Sequence, residues 1–457
     1  MRVVTSLIPV ARLRRVLAGA GMLWGAMALA PSAWALDLRQ AYQAAQENDA
    51  SIRASRAAAD STRERLPQAR AQQLPNASLS LSRNHNDLTS KTPNIVGQVS
   101  TSERQYFSAS QTLSVRQPVY RPYLGALVSQ AQAQVEDADA VLERDEQALV
   151  TRVAEAYFDA LLAQDQLALV GAQKKTYTTQ LDAARKGFVA GSGTRTDVDE
   201  AQARLDMTLA QELEAQQHVE FTRRRLEVIT GQGVDRLALL DVAHFAPRSL
   251  EPDNLDAWIE RAEQFSPEMA SLRAQLEAAR LEIDKAQSGH KPTLDLVAQW
   301  SRTSSDSVTS VNSRYNNKSI GLQLSVPLYA GGYVGSTVRQ AVAAHERARE
   351  MLEALRRDLG VRVHREFRGV TEGVLRIRAL EQAVRSAELA VESNRKSFLA
   401  GSRTTLDVLN AEQQKTLALR DLAQARYLYL VSRLRLQSLA GEDRQAIVAE
   451  INAWLVP

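Results

Sequence analysis

Few residues in this 457-residue chain have the type and spacing that bond-making chemistry requires. Its six histidines, His85, His218, His244, His290, His345 and His364, are scattered, and none forms the H-E-x-x-H spacing that sets two metal ligands on one helix face. There is no cysteine, which removes thiolate metal sites, Cys nucleophiles, a disulfide framework and an N-terminal lipid anchor. No phosphate-binding loop, dinucleotide fingerprint or G-x-S-x-G elbow is present. The sequence therefore points to no catalytic residue, no metal and no cofactor, and energy for any transport has to come from a partner. What remains is a repeated polar turn. Phe188-Val189-Ala190-Gly191-Ser192-Gly193-Thr194-Arg195-Thr196-Asp197-Val198 recurs as Phe398-Leu399-Ala400-Gly401-Ser402-Arg403-Thr404-Thr405-Leu406-Asp407-Val408. A glycine at a helix break supplies positive φ, and an aspartate near the next helix start can cap it. The chemistry on offer is capping and exchangeable Arg–carboxylate pairing.

These turns sit inside a larger duplication. Gln117-Pro118-Val119-Tyr120 answers Val326-Pro327-Leu328-Tyr329, Leu226 to Gly231 answers Leu436 to Gly441, and Leu74-Pro75-Asn76 answers Lys291-Pro292-Thr293. The offset stays near 210–217 residues, so two copies of one unit, 36–246 and 247–457, fill the chain after a leader. That leader, residues 1–35, has Arg2, Arg12, Arg14 and Arg15, an apolar run from Val16 to Ala30, and the small-residue site Ala33-Trp34-Ala35; it reads as a cleaved signal peptide. Removing it lowers the formal charge from +3 to −1, so the basic balance belongs to the leader and gives no support to a nucleic-acid partner. Arg223-Arg224-Arg225 and Arg356-Arg357 lie among acids and read as solvated helix faces.

Each unit opens with a helical stretch, Leu38 to about Arg65 and Leu255 to about Ala286. Two alternating segments follow. Ala77, Leu79 and Leu81 alternate with serines, as do Phe107, Ala109, Leu113 and Val115 with Ser and Thr. The second copy sets Leu294, Leu296, Ala298 and Trp300 on one face, then Ile320, Leu322, Leu324 and Val326. Such strands fit either a sandwich edge on a core or a barrel wall between lipid and a wet lumen. The leader, and the lack of any later run of 18 apolar residues, favour the wall. Four strands cannot close a barrel, whose smallest examples have about eight, so several chains must share one. The proline-free stretches from about Gly125 to Lys186 and from about Gly335 to Ala400 predict helices ~90–100 Å long, each returning after the turn as an antiparallel hairpin. One apolar row, from Leu352 through Leu359, Phe367 and Ile377 to Val391, steps by about 3.5 residues, the coiled-coil period. Gly360, Gly369 and Gly373 mark a bend or a thinned contact.

With its leader, tandem repeats, strand pairs and paired turns over about residues 38–441, the chain resembles the TolC family of outer-membrane channels. The resemblance implies an α+β membrane protein with tandem long α-helical hairpins and four transmembrane strands per chain, forming a homotrimer with a shared 12-stranded barrel in outer-membrane lipid. It implies an exit duct in the outer membrane with a long periplasmic extension, working with a periplasmic adaptor and an inner-membrane transporter, ABC or proton-driven. Type I protein secretion is the leading expectation, small-molecule efflux the alternative, and a periplasmic adaptor the more distant one. By motif match, Asp197, Phe398 and Arg403 correspond to a tip gate and Asp407 and Asn410 to a pore lining, where a carboxylate ring favours cations. Gly191, Ser192, Gly193, Gly401 and Ser402 correspond to turns that meet the adaptor. Two departures stand out: Asn410 replaces a common second pore Asp, with Glu200 its repeat counterpart, and Phe398 replaces a Tyr hydroxyl.

Overall fold

The computed structural model describes residues 35–93, 95–305 and 313–456; the leader up to residue 34 lies outside them. Helix starts follow local cap chemistry. Asp37 and Gln40 make a capping box at α1 (Leu38–Asn48), and Asp49, whose side chain accepts from the Ser51 and Ile52 amides, starts α2 (Ala50–Arg63). A break then leads to α3 (Arg65–Ala71). The single opening stretch expected in each unit is thus interrupted. In the second unit Ser266-Pro267 separates α6 (Leu255–Phe265) from α7 (Pro267–Gln287), because the proline has no amide for the preceding turn.

β1 (Asn76–Pro93) and β2 (Val99–Tyr120) lead into α4 (Pro122–Val189), which turns into α5 (Arg195–Thr230). β4 (Thr293–Ser305) and β5 (Ser313–Ser325) lead into α8 (Tyr333–Leu399), which turns into α9 (Thr405–Leu439). The long helices have 68 and 67 residues, ~100 Å at 1.5 Å per residue. α8 passes Gly360, Gly369 and Gly373 unbroken. Gly369 and Gly373 are thinned contacts: a Cβ on Gly369 would lie 2.6 Å from the Ser432 hydroxyl, and one on Gly373 would touch Tyr429. α10 (Arg444–Asn452) and the short pair β3 (Leu239–Leu240) with β6 (Leu455–Val456) complete a belt around mid-length.

The core sits at that belt. Tyr157, Phe158, Leu161, Leu359, Ile377, Tyr429 and Leu430 are buried there, and the Tyr157 hydroxyl lies 2.9 Å from the Leu36 carbonyl oxygen and 2.8 Å from that of Ala238. The second unit is locked to the belt through Gly441, which has φ +71°. A Cβ there would sit 2.6 Å from the Phe265 carbonyl oxygen, a backbone atom that cannot rotate aside. Gly441→Ala is therefore expected to lose about 2–4 kcal/mol, strain plus overpacking, read as an earlier thermal unfolding transition of the purified protein.

Neighbour relations give the helices a constant order. Toward the sheet the row runs α2 and α3, α4, α7, α8; toward the turns it runs α5, α4, α9, α8. α8 is one edge throughout. The four-stranded sheet is antiparallel in the order β1-β2-β4-β5, with β1 and β5 as edges. Its register sets Leu79 opposite Leu113, Leu113 opposite Trp300, and Trp300 opposite Lys318. One face carries Ala77, Leu79, Leu81, Leu113, Leu296, Ile320, Leu322 and Leu324; the other carries Ser78, Ser80, Thr112, Ser114, Gln299 and Ser319. Leu79 and Leu81 are 62% and 67% exposed, and Ile320 75%. Among the described residues no core covers the apolar face, which rejects the sandwich-edge alternative. The first strand pair is longer than its alternation predicts, because the register continues from His85↔Phe107 to Pro93↔Val99 after the apolar face has ended.

Candidate functional site: the hairpin tips

Each long helix stops through its backbone. Gly191 and Gly401 both have φ +74°. The Ser192 and Gly193 amides donate to the Gly187 carbonyl at 2.9 and 3.0 Å, and the Ser402 amide donates to the Ser397 carbonyl at 2.9 Å. These bonds satisfy carbonyls that a helix end leaves open. Between the helices, residues 190–194 against 400–404, the two turns differ at one place. A Cβ on Gly193 would lie 3.1 Å from the Phe188 nitrogen, whereas the second unit has Arg403 at the corresponding position.

The next helices start on threonine, not aspartate. Thr194 and Thr404 are the N-caps, and Asp197 and Asp407 sit three residues later, closing capping boxes from inside the helix. The Asp197 carboxylate accepts from the Thr194 amide at 3.0 Å and hydroxyl at 2.6 Å; Asp407 accepts from the Thr404 amide and hydroxyl, both at 2.9 Å. Those bonds hold both carboxyls below the ordinary aspartate range, so both are ionised at neutral pH. The Thr405 hydroxyl, on the other hairpin, also contributes at Asp197. Arg403 reaches its own Asp407 at 3.5 Å in an exposed i,i+4 pair.

The tips also hold a residue that the turn motif does not reveal. Arg204 lies one turn beyond Glu200, and its Nε donates to Glu200 at 3.1 Å. Its two terminal nitrogens donate to Gln413 Oε1 and Asn410 Oδ1, each at 2.8 Å. One guanidinium thus ties α5 to α9, joining two residues singled out from sequence, Glu200 and Asn410. The available sequence signal was the Glu200–Arg204 i,i+4 spacing, which is common on any helix. The first-unit position of Arg204 corresponds to Gln414, so the repeat did not flag it.

Phe398, 42% exposed, shares a cleft of about 750 Å³ between the two tips with Asp197, Gly193, Gln180, Arg395 and Val408. Gln180 Oε1 is buried there without a hydrogen-bond partner among the described residues. Arg395 is salt-bridged to Glu412. Among the described residues no group of three or more His, Asp or Glu could hold a metal ion, and no helix is long and apolar enough to cross a membrane.

Known proteins share this architecture. The family model described as outer membrane efflux protein matches residues 41–232 and 258–442. The alkaline protease secretion protein AprF of Pseudomonas aeruginosa is 36% identical over 430 residues, covering 92% of this chain and 88% of that protein. The outer membrane protein TolC of Vibrio cholerae is 33% identical, covering 93% and 95%. The crystal structure of the outer membrane protein VceC of Vibrio cholerae superposes with a TM-score of 0.74 at 20% identity, over 89% of this chain and 96% of that one. The exposed apolar strand face, the tandem helical hairpins and these matches over nearly the whole chain place it in the outer membrane efflux protein family, as a TolC-like exit duct of the outer membrane with a helical extension into the periplasm.

Proposed function

We propose that the chain is the outer-membrane duct of a type I protein secretion system, working as a homotrimer whose four strands per chain make a 12-stranded barrel. The observation that carries the assembly is an edge left open along the whole length. Among the described residues β1 and β5 each lack a partner on one side, and α8 ends the helix row opposite α2, α3 and α5. In a membrane an open strand edge leaves amides and carbonyls without partners, so the edges close on copies of the chain. The helix edges are complementary. α8 exposes Val361, Leu375 and Leu389 at 14-residue steps, two heptads each, and α5 exposes Met207, Leu213, Phe221 and Val228 at nearly the same period. A heptad row on each edge suits a coiled-coil seam between neighbours.

Placing charges in the α5 row tests this. Phe221→Glu with Val228→Glu is expected to remove the trimer and leave smaller species, read by mass measurement in detergent. An intact trimer in this variant argues for another seam.

The secretion reading rests on the similarity to AprF, whose name records alkaline protease secretion. Small-molecule efflux is the second reading, favoured by the family description. Expression in a strain lacking its own duct separates them: restored export of a type I protease substrate supports the first, and restored drug resistance without export supports the second. Energy comes from an inner-membrane transporter, ABC or proton-driven, through a periplasmic adaptor. The turns Gly191-Ser192-Gly193 and Gly401-Ser402 are the surface that meets the adaptor. Asp197, Phe398 and Arg403 hold the tip closed, and the Asp407 and Asn410 positions line the constriction.

A further inference from the structure

The four strands carry few charges and gather most of them on one face. By register, Arg83, Ala109, Ser304 and Arg314 form one row across the sheet, and Gln111, Arg302 and Asn316 form the next. Lys318 stands opposite Trp300 one row further toward the helices. Alternation puts Arg83, Arg302, Arg314 and Lys318 on the face that carries Leu79, Leu81, Ile320 and Leu322, not on the serine face. All four are exposed, and none makes an ion pair among the described residues. Asp87 and Glu103 share the face but lie further out along the first hairpin.

Cations on a lipid-facing wall have a restricted place. At mid-bilayer a lysine or arginine costs ~2–4 kcal/mol, falling to nearly nothing at the interface. β5 ends at Ser325, and a tilted strand gains ~2.5 Å of height per residue, so Lys318, Arg302 and the Arg83–Arg314 row stand ~18, ~23 and ~28 Å from that end, around the ~25 Å height of an outer-membrane apolar band. The cations therefore straddle the level where hydrocarbon ends. They do so at the hairpin end of the sheet, opposite the periplasmic helices, which is the outer leaflet. That leaflet is built of phosphorylated glycolipid.

The surroundings also suit a phosphorylated sugar. The Arg83 guanidinium stacks over the Phe107 ring at 5.2 Å, and Trp300 donates its indole N–H to Asn316 Oδ1 at 2.8 Å. Arg83, Phe107, Gln111, Ser304 and Arg314 line a cleft of about 580 Å³. Guanidinium groups bind phosphate in bidentate fashion, and amide and hydroxyl groups pair with sugar hydroxyls.

We infer that Arg83, Arg302, Arg314 and Lys318, flanked by Phe107 and Trp300, form a binding site for the phosphorylated glucosamine headgroup of outer-leaflet glycolipid. The inference rests on the barrel reading. The test is native mass spectrometry of the full-length assembly in detergent with bis-phosphorylated lipid A, its dephosphorylated form and inorganic phosphate as separate probes. The bis-phosphorylated lipid is expected to be retained, and substituting all four cations by Gln should weaken retention at least about tenfold, given ~1 kcal/mol per basic residue near an anionic surface. Dephosphorylated lipid should be retained as weakly by the unaltered protein, and excess inorganic phosphate should not displace the lipid. Undiminished retention by the four-Gln variant overturns the inference. So does equal binding of the dephosphorylated form, or displacement by free phosphate, which would reduce the site to an ion site. Should the four-Gln variant not assemble, Arg302→Gln with Lys318→Gln is read instead, with a loss of about threefold or more expected and unchanged retention again overturning the idea. Planar-bilayer conductance keeps the two readings apart. A variant that conducts and still holds the lipid sinks only this site, whereas an unaltered protein that never inserts sinks the barrel.

Discussion

Replacing Arg116 and Arg121 together by glutamine is expected to destabilise the protein by about 3–5 kcal/mol, because it strands a buried carboxylate. Asp295 has a side chain only 2% exposed. Arg116 reaches it through Nε at 3.1 Å and Nη2 at 2.5 Å, and Arg121 through Nε at 2.7 Å and Nη2 at 2.5 Å. The arginines are 51% and 30% exposed and can turn to water. Asp295→Asn should therefore cost much less, about 1–2 kcal/mol, since it leaves no buried charge unmatched. Guanidinium chloride unfolding of the purified full-length protein measures both, and equal losses would refute the asymmetry. The triad clamps the end of β2 and the start of α4 in the first unit to β4 of the second. Its repeat counterparts are Ser78, Ser325 and Ala330, so the clamp belongs to the seam inside one chain and has no equivalent at the outer edges.

The second large effect is at the tip. Arg204→Ala removes two bonds from α5 to α9, at Gln413 and Asn410, and leaves Glu200 without its cation. Charge-assisted bonds in this half-exposed setting are worth about 1.5 kcal/mol together, roughly a tenfold shift toward an open tip per protomer. Single-channel conductance in planar bilayers is expected to rise several-fold, with detergent and antibiotic sensitivity rising in parallel, and Arg204→Lys should recover part of the closed behaviour. Arg403→Ser and Asp197→Ala are expected to act in the same direction but less strongly. Among the described residues Arg403 pairs only with its own Asp407, across 3.5 Å of exposed surface. Unchanged conductance in Arg204→Ala would show that the tip is held shut by contacts between protomers alone.

The chain's own sequence carried everything that depends on local period. Alternation over two to eight residues exposed the strand faces, the long proline-free heptad stretches exposed the hairpins, and the repeated turn located both tips to within a few residues. Capping and turn geometry depend on neighbours three or four positions away, so Gly191, Gly401, Asp197 and Asp407 were legible as helix-end residues, although the caps themselves are Thr194 and Thr404 with the aspartates three residues behind. What the tertiary structure alone decided are contacts between residues far apart that occur in one unit and not the other. Arg204 meets Asn410 across 206 positions, and Arg121 meets Asp295 across 174. No periodicity encodes such pairs. They arise when two similar units are packed side by side, because each then turns a different face to the seam between them.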